Sequence, residues 1–212
     1  MIKRRLENEV NEVNEVVNNG EGINEKDFME ALMEEVRNKT LNIVGEFNEN
    51  LVKEVQMFAD NLWYYHEDDE KPCFINISSY GGSADCLLAI LDILKGLKEE
   101  WGCKIITNCN GYAMSCGAIL WAYGDERHMG EYGELMFHQL SYGIRDTLEA
   151  HEVELKRNKK LQKKIDRIIC EKTPLTEKTL KKWYKNSNDK FIDYDEAMEL
   201  GLLTIEEEDD EE

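Results

Sequence analysis

An α/β fold built on parallel strands is predicted by two successive units of one kind. In the first, the apolar run Cys73-Phe74-Ile75-Asn76-Ile77-Ser78 passes through Ser79-Tyr80-Gly81-Gly82-Ser83 into a helix marked by Leu87, Ile90, Leu91 and Leu94. In the second, Lys104-Ile105-Ile106-Thr107-Asn108-Cys109 passes through the glycine turn Gly111 to Gly117 into Ala118-Ile119-Leu120-Trp121-Ala122-Tyr123. Short β-branched apolar runs read as strands, and apolar residues at i, i+3, i+4 and i+7 read as one helix face. Where strands run parallel, the loops leaving their carboxyl ends meet at one edge, and ligand sites form there.

The remaining chain fits around these units. Residues 1–40 read as a helical appendage whose first helix carries the repeat Asn8-Glu9-Val10, Asn11-Glu12-Val13, Asn14-Glu15-Val16; a three-residue period drifts around a helix of 3.6 residues per turn and suits only a short contact. Leu41 to Gly45 reads as a strand and Asn48 to Tyr65 as a helix with Leu51, Val55, Phe58 and Leu62 on one face. The charged turn His66 to Pro72 ends that helix. Past Ser115, Glu134 to Leu140 forms a third apolar strand, residues 146–171 a long helix, and Pro174 with Thr176 and Glu177 begins another. A short helix from Asp195 to Leu200 and an apolar segment Leu202 to Ile205 precede an acidic tail, Glu206 to Glu212. The domain is thus expected to span 41–205.

Composition narrows the function. A chain of 212 residues with 42% hydrophobic residues buries one core. No apolar run approaches the roughly 20 residues that cross a bilayer, and Met1-Ile2-Lys3-Arg4-Arg5 leads into acidic sequence where a signal peptide needs an apolar stretch, so a cytoplasmic location is expected. The formal charge of −19 argues against a nucleic-acid backbone as partner. The basic run Lys156 to Lys164 reads as a solvated helix face with an apolar stripe at Leu161, Ile165 and Ile168, or as an inter-subunit contact. The six cysteines show no C-x-x-C spacing, so no metal, cofactor or disulfide is expected.

Ser115 is the candidate nucleophile, because a serine at a helix N-terminus sits beside free backbone N–H groups and the positive dipole end. Small residues around a serine also occur at tightly packed turns. The backbone N–H groups of Gly82 and Cys116 are placed to converge on one oxygen, and such donors contribute about 3 kcal/mol each to an acyl-transfer barrier; a glycine pair is equally a plain tight turn. His138 ends the third apolar run and is a candidate base, though histidines in such runs often serve as core or turn residues.

At these residues the chain resembles the proteolytic subunit of the ATP-dependent Clp protease, the ClpP family of serine peptidases. Ile77-Ser78-Ser79-Tyr80-Gly81-Gly82 is similar to I-N-S-P-G-G, Gly111 to Gly117 to G-Q-A-A-S-M-G, and Met136-Phe137-His138-Gln139 to M-I-H-Q. Asp189-Lys190-Phe191, followed by Ala197 to Leu202, is similar to D-R-F/Y followed by A-x-E-Y-G-L/I. The resemblance implies a crotonase-like fold of repeated β-β-α units with a protruding helical handle, the helix 146–171. It implies Ser115 as nucleophile, His138 as general base, Asp189 as the carboxylate orienting the imidazole, and the amides of Gly82 and Cys116 as the oxyanion hole. Asp193 and Asp195 lie close to Asp189 and compete for that role.

The same resemblance implies a homo-oligomer, a heptameric ring or a tetradecamer of two stacked rings, acting on peptides or unfolded proteins. A separate AAA-type ATPase unfoldase is the implied partner. Among the departures from the family pattern, Tyr80 and Leu140 stand where it has proline, and Cys116 where it has methionine. None removes a triad member, so activity is expected, and it should fall in acid because the base must be neutral. The rival expectations are a non-catalytic ClpP-like subunit, an acyl-CoA hydratase or isomerase on the same fold, and a dedicated maturation protease of a viral or organellar particle.

Overall fold

The computed structural model describes residues 39–65, 72–185 and 188–205. Residues 1–38 of the appendage expected over 1–40, residues 66–71 of the turn expected at His66 to Pro72, and the expected tail 206–212 lie outside the described residues. Six strands and six helices make up the described part: β1 (Thr40–Phe47), α1 (Glu49–Tyr65), β2 (Cys73–Gly82), α2 (Ala84–Trp101), β3 (Ile105–Met114), α3 (Cys116–Tyr123), β4 (Glu126–Met129), β5 (Glu134–Phe137), α4 (Leu148–Lys172), α5 (Glu177–Trp183), β6 (Lys190–Ile192) and α6 (Tyr194–Glu199).

The sheet runs β1-β2-β3-β5-β6, with β4 also paired to β3. All pairs are parallel except β5 with β6. Alternation explains which face the helices cover. Cys73, Ile75 and Ile77 of β2 are fully buried, as are Leu87, Ile90 and Leu94 of α2, and Leu51, Val55, Phe58 and Leu62 of α1 complete this core. Each such side chain taken from water contributes about 2 kcal/mol. The opposite face is polar: Asn42, Asn76 and Asn108 stand in register across three strands. Asn76 donates to Asn42 at 2.9 Å and Asn108 to Asn76 at 3.4 Å.

Helix starts follow the expected chemistry. Asn48 Oδ1 accepts from the N–H groups of Asn50 and Leu51 ahead of α1, both at 3.0 Å, and Thr147 caps α4 by accepting from Ala150 N–H at 3.3 Å. The long helix therefore runs two residues further along the chain at its start than the expected 146–171. Of its apolar stripe, Ile165 and Ile169 are buried, with Leu161 and Ile168 packed against the core. Among the described residues no helix is long and apolar enough to cross a membrane.

Several boundaries differ from the sequence expectation. The segment Gly111 to Met114, expected as a turn, continues β3, because Tyr112, Ala113 and Met114 gain a new parallel partner in Glu134, Leu135 and Met136 of β5. β3 thus has two partners in turn on one edge, β4 along Ile106–Cys109 and then β5. Strand β4 escapes a reading by hydrophobic pattern, since three of its four residues are charged or titratable and half-buried. The third apolar run stops at Phe137, which leaves His138 just beyond the strand. The apolar segment Leu202 to Ile205 docks on β4, with Thr204 N–H donating to Arg127 O at 2.9 Å and Arg127 N–H to Thr204 Oγ1 at 3.0 Å.

Candidate active site

β3 ends at Met114 and α3 begins at Cys116, so Ser115 alone turns the chain. Its backbone takes φ 53° and ψ −118°, a left-handed φ that a residue with a side chain adopts at a cost of about 1–3 kcal/mol. The surroundings hold it there. Ser115 N–H donates to Met136 O at 2.8 Å, and Ser115 O accepts the first helical bond from Ile119 N–H at 3.1 Å. A serine at an N-cap ordinarily turns its oxygen onto the helix, but Ser115 makes no such bond.

Its Oγ lies instead 2.7 Å from His138 Nε2. With the ring proton on Nδ1, the hydroxyl donates to Nε2, the arrangement in which an imidazole can take the proton of an attacking serine. The sheet sets this distance. Met114 pairs with Met136 in the β3–β5 ladder, Ser115 is the next residue on one strand, and His138 follows two residues after Met136 on the other.

The segment Ser79 to Gly82, expected as a turn, is instead the end of β2, paired to β1, and it closes over the serine. Gly81 (φ 104°) packs so tightly that a Cβ on it would lie 2.6 Å from Ser115 Cβ and 3.1 Å from its Oγ. At Gly82 (φ 147°) a Cβ would lie 2.6 Å from Phe47 N and O. Both positions therefore demand glycine, for space as well as for φ. Ser79, fully buried, ties the turn down: its Oγ accepts from Gly81 N–H at 3.0 Å and donates to Gly45 O. Tyr80 stacks on Tyr112 with ring centroids 4.3 Å apart.

Gly82 and Cys116 are neighbours, since the Cys116 thiol donates to Gly82 O at 3.3 Å. Burial pushes that thiol up to about 11, so it is protonated at neutral pH. Cys116 is the first residue of α3, and its N–H precedes the first helical hydrogen bond, leaving it without an intrahelical partner.

Asp189 stands where the strand register points. Phe137 pairs with Lys190 in the antiparallel β5–β6 ladder, and one further step sets position 189 opposite 138. Its side chain is exposed, and among the described residues no hydrogen bond or ion pair joins it to His138. The competing Asp193 is the N-cap of α6, accepting from Glu196 N–H at 2.9 Å, and Asp195 lies in that helix's first turn. Met136 and Gln162, which accept N–H bonds from Ser115 and Leu140, were not singled out by the sequence. A backbone acceptor has no residue signature, and Gln162 sits inside a run that reads as a solvated face.

Among the described residues no group of three or more His, Cys, Asp or Glu side chains is arranged to hold a metal ion.

The Clp protease family model matches residues 21–206, a span that takes in the second half of the N-terminal appendage. The chain is 35% identical over 170 residues to ATP-dependent Clp protease proteolytic subunit 2 of Bacillus licheniformis, a match covering 79% of this chain and 85% of that protein. It is 31% identical over 170 residues to proteolytic subunit 1 of Bacillus cereus, covering 79% and 84%. A mixed α/β sheet with helices on one face, a strained serine in contact with a histidine and these matches lead to one conclusion: the chain belongs to the Clp protease family.

Proposed function

We propose that the protein is a serine endopeptidase that hydrolyses peptide bonds through an acyl-enzyme on Ser115. The observation that carries this reading is the 2.7 Å contact between Ser115 Oγ and His138 Nε2 at a backbone held in a strained conformation. Ser115 Oγ attacks the scissile carbonyl carbon while its proton passes to Nε2. The N–H groups of Gly82 and Cys116 receive the oxyanion, and the imidazolium returns the proton to the leaving amine as the C–N bond breaks. Water, deprotonated by His138, then releases the acyl group. Asp189, opposite His138 by register, is the carboxylate that receives the Nδ1 proton donor when the triad closes.

The relatives are named as proteolytic subunits of an ATP-dependent protease; on the reading proposed for this chain, such subunits assemble as a heptameric ring or a stacked pair of rings and take peptides or unfolded chains supplied by a separate ATP-dependent unfoldase. Residues 1–40 and the acidic tail 206–212 are appendages to the peptidase domain 41–205 on this reading.

A fluorophosphonate probe added to the full-length protein tests it. Labelling should occur on Ser115 and vanish in Ser115→Ala, with peptidase activity falling by about 10⁴-fold or more. A second reading, a non-catalytic subunit on the same fold, is favoured by the exposed Asp189 that makes no bond to His138. A folded oligomer that resists the probe would select it. The hydratase or isomerase alternative has no use for a serine–histidine contact.

A further inference from the structure

His138 lies in a stretch without regular structure, and its position depends on how that stretch is held at both ends. Residues 138–145 form neither helix nor strand. On the near side the chain is fixed by the β5–β6 ladder, through the Phe137–Lys190 pair. On the far side, two residues past the imidazole, Leu140 N–H donates to Gln162 Oε1 on α4 at 2.6 Å. Gln162 is itself oriented: its Nε2 donates to Asp166 Oδ1 at 2.7 Å, one turn along the same helix. An ionised carboxylate only accepts, so it draws the amide nitrogen toward itself and leaves the amide oxygen for Leu140.

The identity of residue 140 makes this bond specific to the chain. Where the resembled motif has proline after His-Gln, this sequence has Leu140. A proline carries no N–H and fixes its own φ. Leucine carries an N–H that must be paired and a freer backbone, and Gln162 meets both needs with one acceptor.

We propose that Gln162 is a positioning residue for His138, oriented by Asp166 and acting through the Leu140 N–H, so that α4 holds the general base in reach of Ser115. This inference rests on Ser115 and His138 being nucleophile and base. Among the hydrogen bonds of the described residues Gln162 joins Leu140 and Asp166, not Ser115 or His138.

The test is the rate of fluorophosphonate labelling of Ser115 in the full-length protein, with S115A as the control. Q162L should slow labelling about tenfold, since it strands a backbone donor and loosens the base. In an L140P background the donor is gone, and adding Q162L should change the rate by less than about twofold. Q162E alone sets two carboxylates side by side and should stay slow. Q162E combined with D166N restores an acceptor for Leu140 and a donor beside it, and should return the rate to within about threefold of the parent. Hydrogen exchange should show lost protection at the Leu140 amide in Q162L with α4 still protected.

The proposal is overturned if Q162L labels as fast as the parent, if its cost is the same in the L140P background, or if the Q162E/D166N pair is no faster than Q162L. Should L140P fail to fold, the Q162E and Q162E/D166N comparison decides alone. Labelling that persists in S115A would instead refute the nucleophile itself, an outcome distinct from a Q162L variant that labels normally at Ser115.

Discussion

Ser83 and Ser115 each follow a parallel strand and each sit at the N-cap of the next helix, yet the fold uses them in opposite ways. Ser83 has an ordinary extended backbone, φ −69° and ψ 123°, and its side chain accepts from Cys86 N–H at 3.4 Å. Ser115 has a left-handed φ of 53°, leaves its helix uncapped and turns its hydroxyl onto His138. The first serine lowers the energy of its local backbone, and the second gives up a cap and accepts strain to hold an oxygen in one place. Local stability surrendered at a single residue, with tertiary contacts holding it in place, is the pattern expected of the nucleophile proposed above.

That contrast can be broken in order of expected effect. Gly81→Ala places a methyl group where Ser115 stands, 2.6 Å from its Cβ. Peptidase activity should fall about 100-fold as the serine is displaced, measured as kcat/KM on a short peptide; an unaffected enzyme would mean that the two turns do not share a site. Ser115→Gly removes the hydroxyl but suits the left-handed backbone. It should be inactive yet more stable than Ser115→Ala by about 1 kcal/mol in denaturant unfolding, and equal stability of the two variants would show that no strain is stored.

Ser83→Ala should behave in the reverse sense, losing about 1 kcal/mol of stability with activity within about twofold of the parent. The smallest effect concerns Cys116. Burial raises its thiol to about 11, so the thiolate is scarce below that pH and grows only as pH rises through it. Iodoacetamide at pH 8 should leave Cys116 unmodified in the native protein, read by peptide mass, and rapid alkylation would make the thiol a competing nucleophile.

The difference between the two serines also marks the reach of sequence reasoning. Both strand–turn–helix units were legible, because alternating apolar residues and helical spacing are local signals. The strain at Ser115 was not, since the groups that meet it, Gly81, Met136 and His138, come from distant parts of the chain. The sequence places Gly111 at the start of a turn because glycine usually breaks a strand; pairing with β5 carries β3 past it. Strand β4 was missed because Glu126, Arg127 and His128 offer no apolar alternation. Among the acidic candidates near the carboxyl end, proximity in sequence left Asp189, Asp193 and Asp195 alike, and strand register with the α6 cap separates them.

The hydrogen bond from Ser115 N–H to Met136 O makes the gap between Ser115 and His138 a property of strand alignment. Sliding β5 by one residue would translate its backbone about 3.3 Å and reverse its faces, which exceeds the whole length of the Ser115–His138 contact. If the proposed mechanism holds, peptidase activity is therefore a gauge of sheet registration: a chain that pairs β5 one position out would lose the Ser115–His138 contact, however much of its secondary structure has formed.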